Sequence, residues 1–301
     1  MQATRGASGI GGTAFVGLGN MGTPMARRVA ARMPLTVWNR TRSRADALRD
    51  VAGRIASSAR DAARAADVVV TCMADGKALQ DMLSGPDGLL AGLEPDAVVV
   101  DLSTIGRAAA REAARAVEAV GARFVDAPVS GSVGPAARGE LLALVGGADA
   151  DVERVTPVLQ TMCRRILRAG GVGQGQALKV VLNGVGSHHF VAFASMLALG
   201  ERAGLARETL VDAFTSGAFA TPSYTSKRDR VLERRYDAPD FTLALALKDG
   251  ALNLALQEEV GLALPVQREI AREVAQAVGE GLGDEDLYSM EKYFSGKGIP
   301  R

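Results

Sequence analysis

The sequence predicts a doubly wound α/β domain with a mostly parallel sheet, followed by an all-α domain joined to it by one long interdomain helix. Three observations predict this. In the first half, short apolar runs alternate with amphipathic stretches rich in alanine and arginine; a glycine-rich turn follows the first apolar run; and strand-like runs stop near Gly170.

The predicted strands, in order, are 13–17, 35–39, 54–56, 67–73, 97–102, 123–129 and 141–145. Between them, runs such as 21–32 and 107–120 combine strong helix formers with apolar residues three and four apart. The domain boundary is placed between residues 170 and 171, giving an α/β domain at 1–170 and an all-helical domain at 171–301. The first helix of the second domain is expected from about Gly175 to near Arg202. At 1.5 Å per residue it would be roughly 40 Å long, more than a globular helix usually needs, so it suits a linker that also packs on another subunit.

Composition narrows the function. With 48% apolar residues and a net charge of +1, the chain reads as an ordinary globular protein with no electrostatic call for nucleic acid or an acidic membrane. Cys72 and Cys163 lie in no metal-binding or paired redox spacing, so no metal site is expected and both read as thiols of a reducing, cytoplasmic environment. The first twelve residues lack the apolar centre of a secretory signal. The most apolar helix is interrupted by Asn183, Ser187, His188 and His189, so no membrane span is expected.

The glycine-rich turn reads Gly17, Leu18, Gly19, Asn20, Met21, Gly22, between a strand and a helix. In that context Gly17 permits the tight turn, Gly19 leaves room for a pyrophosphate, and Gly22 lets helix and strand pack closely, while the helix start offers free N–H groups to phosphate. This is a Rossmann dinucleotide fingerprint. The second strand ends in Trp38, Asn39, Arg40, Thr41 rather than a carboxylate, so Arg40 can pair with a 2′-phosphate and Asn39 and Thr41 can donate to it; NADP(H) is preferred, with NAD(H) as the alternative. Two further strand ends, Met73-Ala74-Asp75 and Ser103-Thr104, should approach the same ligand, unless they serve only as turns.

Two elements suggest a reaction centre. Asp126-Ala127-Pro128-Val129-Ser130-Gly131-Ser132 ends a strand with small residues that suit a carboxylate. Gly171-x-Gly173-x-Gly175 then leads into Lys179, with Asn183 four positions on and therefore on the same helix face. The chain has 6 lysines against 29 arginines, and a lysine inside an apolar run can be brought toward neutrality by burial where an arginine cannot. Lys179 is thus the candidate acid/base and Asn183 the orienting group; a snorkelling surface lysine is the plain alternative. Lys248 suits a cofactor phosphate or a substrate carboxylate, Asp249 suits the substrate or Lys248, and Phe241 suits a cover over the nicotinamide, against ordinary surface and core roles.

Together these motifs resemble the β-hydroxyacid dehydrogenase family. The resemblance rests on GLGNMGTPMA at 17–26, DAPVSGS at 126–132, the glycine-rich run into Lys179-x-x-x-Asn183, and Lys248-Asp249, and it spans nearly the whole chain. It implies that Lys179 is catalytic, that Ser130, Gly131 and Asn183 hold substrate, and that the glycine turn, Thr104 and Lys248 hold cofactor. It also implies a small carboxylate-bearing substrate and a homodimer or homotetramer. SGSxxPAxxGxL at 130–141 and WNRT at 38–41 are similar to the NADPH-dependent glyoxylate/succinic semialdehyde reductases of that family, with NAD-dependent 3-hydroxyisobutyrate or tartronate semialdehyde dehydrogenases as alternatives. Gly250 and the pair His188-His189 depart from the family pattern, and His189 lies about 80° from the Lys179 stripe. An imine reductase of the same architecture and a non-catalytic dinucleotide-binding protein are the remaining readings.

Overall fold

A computed structural model describes residues 11–64 and 66–298. The chain divides into two compact units after Val180.

Among the described residues, the first unit is built on a nine-stranded sheet: β1 Thr13–Val16, β2 Leu35–Trp38, β3 Arg54–Ile55, β4 Val68–Thr71, β5 Val98–Asp101, β6 Arg123–Asp126, β7 Val129–Ser130, β8 Leu141–Gly146 and β9 Cys163–Gly170. Its order is β3-β2-β1-β4-β5-β6-β8-β7, with β9 on β8. The sheet is parallel from β3 to β6, whereas β8 runs antiparallel to both β6 and β7. The helices are α1 Gly22–Ala30, α2 Arg42–Asp46, α3 Ala59–Ala63, α4 Gly76–Leu83, α5 Arg107–Glu118, α6 Val133–Arg138 and α7 Asp149–Met162.

The strands are almost wholly apolar because both faces are covered. Alternate residues go to opposite sides: Phe15, Val70, Val100 and Val125 join the core under α1 and α7, while Val16, Val69, Val99 and Phe124 join the core under α5. Alanine at 110, 113 and 114 lets α5 lie close to that second face.

Two expectations need correction here. The predicted strand 123–129 is broken at Ala127-Pro128: β6 stays beside β5, and Val129 and Ser130 pair with Ala143 and Leu142 of β8. Proline has no N–H for a ladder, so the chain leaves the sheet there and re-enters in a new place. Strand β9 was not foreseen either. Its arginines at 164, 165 and 168 are exposed, and it pairs with β8 on one side, so neither alternation nor an apolar run marked it.

The helix α8, Gln174–Arg202, begins in the first unit and continues into the second. The second unit adds α9 Arg207–Ser216, α10 Pro222–Leu232, α11 Leu243–Val260, α12 Pro265–Ala277 and α13 Met290–Gly296. Phe193 centres its core, edge-on to Tyr224, Phe214 and Tyr288 at 4.8–5.2 Å between centroids. Arg207 ties the start of α9 to Glu201 at 2.7 Å and to the buried Glu291 at 3.0 Å. By length and composition alone, α8 is long and apolar enough to cross a membrane, a test that the core helix of a soluble protein also passes. Its interrupting polar groups are used inside the unit: Asn183 bonds Asp249 and Ser187 bonds Gln267.

Candidate active site

The first strand ends at a turn that only glycine allows. Gly17 has φ +99°, and a Cβ there would collide with the carbonyl oxygen of Cys72 at the end of β4. A Cβ on Gly22 would collide with the Gly17 carbonyl oxygen, so α1 starts in direct contact with the turn. Above Gly19 the nearest atom to an added Cβ is Arg44 Nη1 at 3.7 Å, which leaves the approach open. Leu18 itself is core; its N–H donates to Asn39 Oδ1 (2.8 Å), and Asn39 Nδ2 donates to the Thr41 carbonyl (3.0 Å). The Asn39 carboxamide therefore fastens the end of β2 to the glycine turn, a role the sequence did not show.

A cavity of about 550 Å³ opens on this turn. It brings together Gly17, Gly19, Asn39, Arg40, Thr41, Met73 and Ala74, and it adds Arg44 and the segment 84–88 with its Asp87. Arg44, three residues after Thr41 on α2, was missed; the helical spacing from Thr41 was the available signal. Asn20 and Met21 lie in the turn leading into α1, outside the lining. Asp75 is not part of it either: its carboxylate caps α4, accepting from Ala78 N at 2.8 Å. The size of the cavity, the open face over Gly19 and the arginines at its rim fit a dinucleotide.

Two buried acids stand at adjacent strand ends, in register across β5 and β6. Asp101 Oδ1 accepts from Thr71 Oγ1 and Ser103 Oγ, both at 2.7 Å, and Ser103 Oγ accepts from Met73 N at 2.7 Å. Among the described residues, Asp101 Oδ2 is buried without a hydrogen-bond partner. Burial, with a smaller push from the neighbouring Asp126, raises this carboxyl to about 6 against the pull of the two hydroxyls.

Asp126 organises the start of α8. Its Oδ1 accepts from Gly173 N at 2.6 Å and its Oδ2 from Gln176 N at 2.8 Å. Burial raises it to about 6, while those N–H groups pull the other way. The glycines make the fit possible: an added Cβ at Gly146 would sit 2.6 Å from Asp126 Oδ1, and one at Gly175 would sit 2.7 Å from Oδ2. The DAPVSGS motif and the glycine-rich run are thus two halves of one joint. Lys179, half-buried, follows Gln176 by three residues on the helix so fixed. Thr104 lies half-buried in the turn after β5; Ser130 ends β7; Gly131 has φ +136°, and a Cβ there would meet Leu141 Cδ2 at 2.6 Å; Ser132 stands at the start of α6.

In the second unit, Asn183 Nδ2 donates to Asp249 Oδ2 at 2.6 Å, and Lys248 Nζ lies 3.2 Å from Asp249 Oδ1. Asp249 begins a buried polar ladder along α11, continued by Asn253 and Gln257, which are linked at 2.8 Å. Phe241 is half-buried, its carbonyl accepting from Leu287 N at 3.1 Å just before the Thr242 cap of α11. His188 is exposed with Nδ1 2.8 Å from the Gly184 carbonyl, and His189 packs edge-on against Tyr224.

Residues 12–171 match the family described as the NAD binding domain of 6-phosphogluconate dehydrogenase, and residues 173–294 match the NAD-binding domain of NADP-dependent 3-hydroxyisobutyrate dehydrogenase. The chain is 32% identical over 286 residues to glyoxylate/succinic semialdehyde reductase 2, chloroplastic, of Arabidopsis thaliana, covering 95% of this chain and 80% of that protein. This chain belongs to the β-hydroxyacid dehydrogenase family. Within that family it is also 36% identical over 200 residues to the NAD-dependent L-serine dehydrogenase of Pseudomonas aeruginosa, covering 66% of this chain and 67% of that one. Its fold superimposes with TM-score 0.83 on a Mycobacterium tuberculosis 3-hydroxyisobutyrate dehydrogenase with L-serine, at 29% identity, covering 93% and 98% of the two chains. As a β-hydroxyacid dehydrogenase it is an NAD(P)-dependent oxidoreductase that acts on hydroxyl donors, and it takes small molecules as substrates.

The strand-end acids make a stability prediction. A carboxyl whose folded value is raised contributes stability that is complete below its ordinary 3.8 and fades as pH rises through about 6. Asp101→Asn stays neutral at every pH, so the stability of wild type relative to this variant should fall, by on the order of 1 kcal/mol, between pH 5.0 and 7.5. Urea unfolding at the two pH values reads it; a pH-independent difference would show that Asp101 does not carry the raised value.

Proposed function

We propose that this β-hydroxyacid dehydrogenase reduces a small carboxylate-bearing aldehyde or keto acid of the glyoxylate/succinic semialdehyde class with NADPH, or oxidises the corresponding hydroxyacid, with Lys179 as general acid/base. One observation carries this reading. The helix bearing Lys179 is capped by Asp126 and wedged by Gln176 at the carboxyl ends of β5 and β6, and ligands of open α/β sheets bind outside those ends. The bound dinucleotide supplies or accepts the hydride. In reduction the Lys179 ammonium gives its proton to the carbonyl oxygen, and in oxidation the neutral amine takes the alcohol proton. Asn183 shares the Lys179 face of α8 and has its carboxamide pinned by Asp249, so it presents a fixed orientation to the substrate oxygen. We assign Ser130, Gly131 and Ser132, with Phe241 and Asp249, to the substrate and its carboxylate, Thr104 and Lys248 to the cofactor, and the working domains to residues 1–170 and 171–301.

NADPH is favoured over NADH because no carboxylate stands at the end of β2, while Arg40, Thr41 and Arg44 line the cavity. A homodimer or homotetramer is favoured by an inverted helix. On α11 the buried residues include Asp249, Asn253 and Gln257, whereas Leu245 and Val260 face outward, and on α8 Val181 and Val185 are 54% and 50% exposed. Among the described residues Cys72 and Cys163 form no disulfide, which suits work in a reducing cytoplasm.

Turnover should fall on the order of 10²–10⁴-fold in Lys179→Ala with dinucleotide binding retained. Assays of glyoxylate, succinic semialdehyde, tartronate semialdehyde, methylmalonate semialdehyde and 3-hydroxyisobutyrate identify the substrate, and full activity in the variant would remove Lys179 from the mechanism. For the cofactor, Arg40→Ala combined with Arg44→Ala should raise KM for NADPH about tenfold or more while leaving that for NADH nearly unchanged; a wild type that already prefers NADH overturns the assignment. Light scattering should find two or four chains per particle, moving toward one in Val181→Glu/Val185→Glu, and a monomeric wild type would rule the assembly out.

A further inference from the structure

Gln176 is fully buried, and its carboxamide makes three hydrogen bonds to the turn after β5. Its Oε1 accepts from Ile105 N at 3.0 Å and Gly106 N at 3.1 Å, and its Nε2 donates to the Ser103 carbonyl at 2.8 Å. Its backbone N–H is meanwhile held by Asp126. None of the three side-chain bonds satisfies a free group of α8, so they do not serve as a cap for that helix; they tie it to a different segment.

That segment bears on the cofactor. Ser103 Oγ accepts from the N–H of Met73, which lines the dinucleotide cavity, and donates to the buried Asp101. Thr104 lies between residues whose backbone atoms Gln176 holds. One side chain therefore joins the turn after β5, which Ser103 ties to the cavity-lining end of β4, to the helix turn that leads, three residues later, to Lys179.

We infer that Gln176 is a positioning residue: it sets the Lys179 turn of α8 in fixed register with the turn after β5 and, through Ser103, with the cavity-lining end of β4, so that proton donor and hydride donor are placed together. The inference rests on the Lys179 reading above. Its physical weight comes from geometry, because a proton donor displaced by about 1 Å costs on the order of a hundredfold in rate without changing what is bound.

The test compares Gln176→Glu, Gln176→Met and Lys179→Ala in the full chain, with NADPH and the best aldehyde of the substrate panel. Melting temperature, NADPH affinity by fluorescence, and kcat and KM at 25 °C are read for each. Gln176→Met keeps the volume and loses all three bonds; kcat should fall about tenfold to a hundredfold while the NADPH Kd moves less than about threefold. Gln176→Glu keeps both acceptor bonds, but its carboxylate faces the Ser103 carbonyl and donates to it only when protonated. Its kcat, as a ratio to wild type, should therefore climb as pH is lowered from 8 to 6. A residue with a merely structural role would lower the melting temperature and leave kcat and this ratio unmoved. Should the Met variant not fold, the ratio in the Glu variant decides alone. Wild-type kcat in the Gln176 variants with Lys179→Ala inactive overturns the positioning role and leaves Lys179 standing; an active Lys179→Ala overturns both.

Discussion

The carboxylate of Asp126 closing on the N–H groups of Gly173 and Gln176 is the contact on which the candidate site depends. It joins the end of β6 to the start of a 29-residue helix, and it does so inside a cradle where Gly146 and Gly175 leave no room for a Cβ. A buried carboxylate is costly, and two bonds from backbone N–H groups at a helix start are the compensation that makes it tolerable. Lys179 inherits its place from this joint, since a helix fixed at its first turn fixes the residues of the next.

The neighbouring acid acts on the other side of the site. Asp101 collects the hydroxyls of Thr71 and Ser103, and Ser103 in turn holds the N–H of Met73, so the carboxyl ends of β4 and β5 are bound into one rim. The glycine turn is drawn onto that rim because Gly17 lies against the Cys72 carbonyl. Rigid strand ends with small residues between them leave the backbone accessible to a ligand, which is how an open parallel sheet comes to bind at one edge.

The second unit solves a different problem. It places Asp249, Asn253 and Gln257 inward on α11, where Asn183 bonds Asp249 and Gln257 bonds Asn253, and leaves aliphatic side chains outside. Buried polar groups in such a ladder are tolerable only when paired, and pairing then fixes the geometry of Asn183 and Asp249.

Much of this was legible in order along the chain. The alternation of apolar runs and amphipathic helices, the turn from Gly17 to Gly22, the missing carboxylate after β2 and the spacing of Lys179 and Asn183 are local patterns, and local patterns survive in one dimension. The break of the strand at Pro128 and the exposed strand β9 were not, because both depend on which strand is near enough to pair. The roles of Asp101, Asp126, Gln176 and Arg44 were likewise hidden: each is an ordinary residue in its own segment and acquires its function from a partner or cavity wall contributed by other segments of the chain. Sequence by itself determined the class of fold, the dinucleotide turn and the shared helix face of Lys179 and Asn183; only the tertiary structure decided what holds the start of that helix in place, because hydrogen bonds between strand ends and a helix start exist only once burial has removed the water that would otherwise satisfy them.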